Sequence, residues 1–201
     1  MPVLSDARIA ALLIPYFAAP PASLLTQLSL YLDLLVKWNA RTNLTAIRDP
    51  EQIVQRHFGE SLFTSRHLGP QTRTLLDLGS GAGFPGLPIA LLHPEIAVTL
   101  AESQNKKAAF LREAVRTLEL PNVTVWPNRA ESLSADRRFD TVTLRAVDNM
   151  PAALAATIPL AAREILILAS SQPAFPADFV LDSPIPVPES QRSYLFRASR
   201  A

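Results

Sequence analysis

Thr74-Leu-Leu-Asp-Leu-Gly-Ser-Gly-Ala-Gly-Phe-Pro-Gly86 is the stretch that decides how this chain folds. Its first five residues form an apolar run interrupted only by Asp77, which suits a strand buried on both faces of a parallel sheet. Glycines at 79, 81, 83 and 86 then provide a turn in which the backbone can take positive φ and approach a ligand closely, and from Leu87 an apolar helix resumes. Read from Gly81, the turn satisfies Gly-x-Gly-x-x-Gly, and Glu102 follows roughly 20 residues later, where an acid can bind ribose hydroxyls. On the fingerprint alone, a nicotinamide or flavin enzyme stays open.

Pro85 tilts the choice. It falls in the first turn of the helix and deletes a backbone N–H that a pyrophosphate would use at a helix N-terminus. A nucleoside without phosphates loses little by that, and S-adenosylmethionine is such a ligand. Its amino-acid moiety needs a close backbone approach, its ribose needs an acid such as Glu102, and Asp77 adds a carboxylate nearby. The alternative is a tight strand-to-helix turn that binds nothing.

Working outward, short β-branched or leucine-rich runs alternate with amphipathic stretches, the signature of βαβ units. Strands are expected near 74–79, 97–102, 122–126, 139–145 and 164–169, with helices at about 85–93, 104–119 and 149–160. Phe179-Val-Leu181 and Tyr194-Leu-Phe196 read as a closing antiparallel pair. Upstream, Leu24, Leu28, Tyr31, Leu35 and Trp38 recur at helical spacing, and Asp49-Pro50 with Gln52 opens a further helix predicted to run to about His67. The fold class expected is α/β: a Rossmann-like class I methyltransferase sheet, mostly parallel and seven-stranded, with helices on both faces. A helical extension, residues 1–68, precedes the core, residues 69–201.

Composition limits the chemistry. The chain has 201 residues, 48% of them apolar, and no run long enough for a membrane helix. Asp6, Arg8 and Pro15 spoil the start as a signal peptide, so a cytoplasmic protein is expected. With no cysteine and three scattered histidines, neither a disulfide framework nor a metal cluster is expected. The net charge of +1 gives no global field for nucleic acid, leaving local basic patches around Lys106-Lys107-Arg112-Arg116 and along Arg192, Arg197 and Arg200. Lack of cysteine also disfavours methylation at pyrimidine C5, which usually needs a thiol nucleophile. The motif used on exocyclic amines is replaced by Thr143-Leu-Arg-Ala-Val147. Acceptors with a ready lone pair remain: guanine N7, or small-molecule oxygen and nitrogen nucleophiles.

Across residues 31–150 a set of motifs occurs in one order: Trp38-Asn39, Asn43-Leu-Thr45, Arg48-Asp-Pro50, Arg56-His57, Glu60-Ser61 and Asp77 to Pro88. Glu102-Ser103, Lys106-Lys107, Phe110-Leu-Arg112, Arg129-Ala-Glu131, Phe139-Asp140 and Arg145-Ala-Val147 follow. In these residues the chain resembles the RsmG family, formerly glucose-inhibited division protein B, which methylates guanine N7 in 16S ribosomal RNA. The resemblance implies S-adenosyl-L-methionine as cofactor, with Gly79, Gly81, Phe84, Glu102, Ser103, Ala130, Glu131 and Arg145 as binding residues. It implies small-subunit ribosomal RNA or its assembling particle as partner, with Arg56, His57, Lys106, Lys107 and Arg145 as hypothetical RNA contacts, and a monomer. No catalytic proton-transfer residue is expected, because N7 attacks without losing a proton. The chain departs from the family at Pro159-Leu-Ala-Ala-Arg163, at Ala169-Ser-Ser-Gln-Pro173, and in the short span before Phe179, too few residues for the usual helix. Those changes keep two alternatives open: a small-molecule methyltransferase, and a non-catalytic ribosome- or RNA-binding protein that retains the fold.

Overall fold

The computed structural model describes residues 2–134, 136–147 and 149–201. Helices α1 (Asp6–Leu13) and α2 (Ala22–Asn39) come first. Then α3 (Pro50–Ile53), a π-helical turn (Val54–Gly59) and α4 (Glu60–Ser65) form one continuous helical segment. The alternating part comprises β1 (Thr74–Leu78), α5 (Gly86–Leu92), β2 (Ala97–Ala101), α6 (Asn105–Thr117) and β3 (Val123–Trp126). It continues with β4 (Phe139–Arg145), α7 (Met150–Thr157) and β5 (Ala161–Ala169), and closes with β6 (Phe179–Leu181), β7 (Ile185–Pro186) and β8 (Tyr194–Arg200).

The strands form one eight-stranded sheet in the order β3-β2-β1-β4-β5-β8-β6, with β7 paired to β8. β1 to β5 are mutually parallel, and β8 runs antiparallel to β5 and β6. The expected count of seven is exceeded by the two-residue β7, which carries no apolar period to betray it. The chain reverses its direction of spread between β1 and β4, and such switch points place a ligand crevice at the carboxyl ends of the strands.

Local chemistry explains most boundaries. Ser5 caps α1 by accepting from the Arg8 N–H at 3.3 Å, and Asp49 caps α3 by accepting from Gln52 N–H at 3.1 Å. The helix anticipated from Asp49 to His67 is present but contains the π turn, which ends on Gly59 and has no proline within it. β5 starts at Ala161, three residues before the expected strand, because the small residues Ala161 and Ala162 fit the ladder beside Phe139. No helix follows it: residues 170–178 cross to β6 as loop.

A single apolar cluster runs from Ile9, Leu28, Tyr31 and Phe58 of the N-terminal helices into Leu75 and Val98 of the sheet and Leu87 and Phe110 of the helices α5 and α6 that cover it. Trp38 on α2 meets Phe110 on α6 edge-on, with centroids 5.7 Å apart. Burying each such side chain contributes about 1.5–3 kcal/mol, so the extension is part of the main core. A second cluster, including Leu76, Val142, Ile165, Leu154 and Phe196, fills the opposite face of the sheet under α7. Among the described residues, no helix is long and apolar enough to cross a membrane.

Candidate cofactor site

The site begins at the end of β1. Asp77 is fully buried, and its carboxylate accepts from the Thr143 hydroxyl at 3.0 Å and from the Gly86 N–H at 3.1 Å. Burial is the main cause that pushes its carboxyl up to about 6, against the lowering effect of those hydrogen bonds. Gly86 is required where it stands, since a Cβ there would collide with Leu100 and lie 2.8 Å from Asp77 Oδ2. With the Gly86 N–H given to Asp77 and the Leu87 N–H to the Gly83 carbonyl at 2.8 Å, the N-terminus of α5 has its donors engaged and a carboxylate beside it. A pyrophosphate has no place there.

Gly79 differs from Gly86. It takes φ +70°, and nothing lies within 4 Å of the position its Cβ would occupy, because the backbone faces open space. That space is a cavity of about 440 Å³ at the carboxyl ends of β1 and β2, within the size range of small-molecule sites. Glu102 and Ser103 border it from β2, Arg129, Ala130 and Glu131 from the turn after β3, and Asn149 and Ala153 from α7. Glu102 is only 6% exposed; Oε2 accepts from the Gly81 N–H at 3.0 Å and Oε1 from the Gln104 N–H at 2.7 Å. Each oxygen keeps a second lone pair, so a carboxylate held in a fixed orientation can still accept from a vicinal diol. Alanines at 101, 130, 152, 153 and 156 leave room for a flat apolar ring.

The remaining sequence candidates fall elsewhere. Gly81 is beside the cavity through its bond to Glu102, but Phe84 points into the core, stacked at 5.4 Å on Tyr31 and at 4.8 Å on His57. Arg145, expected at the cofactor and among the RNA contacts, does not line the cavity. Its side chain is 12% exposed and turned toward the π turn, donating to Glu60 Oε2 at 2.9 Å and to the Arg56 carbonyl at 2.9 Å. Glu60, 3% exposed, attracts it more strongly than a solvated rim can. Arg145 Nη2 also lies 2.7 Å from His57 Nδ1, and a guanidinium only donates, so Nδ1 accepts and the ring proton on Nε2 goes to Thr45 Oγ1 at 2.7 Å. Desolvation, then the charges of Arg145 and Arg56, pull the His57 imidazole down to about 2. His57 is therefore neutral and occupied, which removes it as a cationic phosphate contact. Arg56 is half-exposed and pairs with Glu60 at 2.9 Å, while Lys106 is exposed and Lys107 half-buried on the first turn of α6.

Sequence reasoning missed Asn128 and Asn149 at the cavity rim. Asn149 carried a readable signal, as the residue before a Met-Pro helix start: its side chain caps α7 by accepting from the Ala152 N–H at 3.1 Å. A larger cavity, about 710 Å³, lies on the other side of α7 against residues 168–176, where the chain is, as expected, too short for a helix after β5. It is lined mainly by apolar residues and, among the described residues, by no acid for a ribose, so size does not make it the cofactor site.

A family model described as rRNA small subunit methyltransferase G, GidB, matches residues 24–172. The chain belongs to the GidB family. The GidB relative from Nitrosomonas europaea, Ribosomal RNA small subunit methyltransferase G, is 45% identical over 138 residues, covering 68% of this chain and 63% of that protein. The protein of the same name from Roseiflexus castenholzii is 46% identical over 138 residues, covering 67% and 59%. The match thus spans about three fifths of these relatives' length. Among solved structures, a single-site mutant of MtNAS in complex with S-adenosylmethionine aligns with TM-score 0.59 at 13% identity, over 88% of this chain and 75% of that one. The glycopeptide N-methyltransferase MtfA aligns with TM-score 0.58 at 15% identity, over 72% and 90%. At such identities the likeness establishes the Rossmann-like class I methyltransferase fold of this GidB member and nothing finer.

Proposed function

We propose that this chain is an S-adenosylmethionine-dependent methyltransferase that methylates N7 of a guanine in 16S ribosomal RNA. The observation that carries the reading is the cavity at the ends of β1 and β2. There Gly79 exposes backbone, Glu102 presents two half-used carboxylate oxygens, and Asp77 already fills the helix N-terminus that a dinucleotide would need. The ribosomal RNA substrate is taken from the names of the GidB relatives; guanine N7 is what the resemblance to the family implies, and the lack of a cysteine nucleophile disfavours a pyrimidine C5.

When bound, S-adenosylmethionine supplies an electrophilic methyl group on a sulfonium. Glu102 would hold the ribose hydroxyls, Gly79 would allow the amino-acid end to approach, and Ala130 with Ala153 would flank the adenine. Guanine N7 carries an in-plane lone pair and loses no proton, so orientation and exclusion of water suffice. His57 fits that scheme, being neutral, tied to Arg145 and Thr45, and too weak a base for proton abstraction.

The test uses the full chain with methyl-labelled S-adenosylmethionine on small ribosomal subunits and on protein-free 16S RNA, followed by mass analysis of the nucleosides. The expected product is 7-methylguanosine at one site; label on another nucleoside, or none on RNA, overturns the assignment. A small-molecule acceptor is the second reading, favoured by the 710 Å³ apolar cavity that shares Val147 with the cofactor cavity. Transfer to small nucleophiles without transfer to RNA is its signature.

A further inference from the structure

The arginines that hold the fold together are visibly paired: Arg8 with Glu51, Arg145 with Glu60, Arg163 with Asp140, Arg197 with Glu164 and Arg200 with Asp178. Another set of cations is not. Among the described residues no carboxylate pairs with Lys37 or Arg41 at the end of α2, with Arg48 in the loop after it, or with Lys106, Lys107 and Arg112 on α6. All are exposed except Lys107, which is half-buried.

Packing brings α2 against α6, the helices that carry or adjoin these cations. The Trp38–Phe110 contact joins the end of α2 to α6; Arg41 follows Trp38 by three residues, and Lys106 and Lys107 precede Phe110 by four and three. On α6 those spacings put Lys106 and Lys107 on the turn before Phe110, while Arg41 lies just past the end of α2 with its N–H donating to the Trp38 carbonyl at 2.9 Å, so basic residues flank one aromatic contact from both elements. Asn39 fixes the intervening loop, with Nδ2 donating to the Thr45 and Ile47 carbonyls at 3.1 and 3.3 Å and Oδ1 accepting from the Thr45 N–H at 3.0 Å. Arg48 is held in place by Asn43 Oδ1 at 2.6 Å and by the Asn39 carbonyl. Through Thr45, His57 and Arg145 the loop is tied to the end of β4, and α6 starts just past Glu102 and Ser103, which line the cofactor cavity. Lys106 and Lys107 occupy a first helical turn without an acid, where the helix dipole opposes a cation. Helix stability does not account for their charge.

We infer that Lys37, Arg41 and Arg48 of the N-terminal extension and Lys106 and Lys107 of α6 form one docking surface for RNA phosphates, an inference that rests on the RNA-substrate reading above. The surface lacks what other partners need. None of the exposed large apolar side chains, Val3, Ile14, Leu30, Val180 and Tyr194, belongs to residues 37–48 or 105–117, so it offers no anchor for a protein hot spot or for insertion into a lipid surface. Cations without apolar anchors suit a phosphate backbone, which positions a nucleic acid without reading its sequence.

The test is a salt titration of binding to protein-free 16S RNA, comparing the wild-type chain with the triple variant Lys37→Gln, Arg41→Gln, Lys106→Gln. Three lost phosphate contacts should flatten the slope of log K against log salt by about two units and weaken binding at least tenfold near ~0.1 M salt. The thermal midpoint and the affinity for S-adenosylmethionine should not move, and a charge-keeping variant, Lys37→Arg with Arg41→Lys, should retain the wild-type slope. A variant of the tail, Arg192→Gln, should also leave the slope unchanged. An unchanged slope in the triple variant, or an equal loss in the tail variant, overturns the docking surface. Methyl transfer to RNA with an unchanged slope sinks the surface and leaves the enzyme reading standing; a flattened slope in a chain that transfers no methyl group does the reverse.

Discussion

Burial favours the neutral forms of both Asp77 and His57, and their pH costs run in opposite directions. The folded-state pKa of Asp77 is raised from 3.8 to about 6, so its contribution is full below the unfolded value and is lost as pH rises through about 6. His57 is lowered from 6.5 to about 2; its contribution is present above 6.5 and is lost as pH falls toward the folded value. Between roughly pH 4 and pH 6 the two slopes oppose each other, each at most about 1.4 kcal/mol per pH unit. Asp77→Asn should therefore make stability climb more steeply with pH across that window than in the wild type, and His57→Gln should make it climb less. Urea unfolding at both ends of the window measures the differences. If the two variants kept the wild-type pH dependence, neither group would be buried as described.

At the level of elements, the β4 end is stitched to the start of α4, just past the π turn, by Arg145 and Glu60, whose side chains are 12% and 4% exposed. Removing one partner of such a pair leaves a buried charge uncompensated, so Glu60→Gln should cost about 3 kcal/mol of unfolding free energy. A loss under about 1 kcal/mol, read by denaturant titration, would show the pair to be solvated. This stitch was not legible in the sequence. A long side chain at a strand end chooses its partner in three dimensions, and Glu60 stands 85 residues before Arg145. The strands were legible to within a residue at β1, β2, β3 and β4, because apolar runs there are bracketed by glycine, proline or charge. Asp77, Gly79 and Glu102 were legible for a similar reason: a strand end and a turn fix where a short side chain or bare backbone points. The π turn and the short β7 were not, since neither changes local composition enough to register.

For the whole molecule, the division at residue 68 describes sequence texture better than mechanics. Leu28, Tyr31 and Phe58 share one apolar cluster with Leu75, Leu87 and Phe110, so a fragment spanning 69–201 would expose the inner face of the sheet layer. It should lose cooperative unfolding, and a sharp transition at the full-length midpoint would separate the two parts after all. The cavity depends on that same frame: β1 and β2 present Gly79 and Glu102, and α7 closes the far wall. Calorimetric titration of the full chain with S-adenosylmethionine tests this arrangement most directly. The account predicts saturable one-site binding that Glu102→Gln weakens about ten- to a hundredfold, the worth of hydrogen bonds to a charged acceptor, with no comparable heat from a nicotinamide dinucleotide. Absent binding, or binding indifferent to Glu102→Gln in a variant with unchanged thermal midpoint, would contradict it.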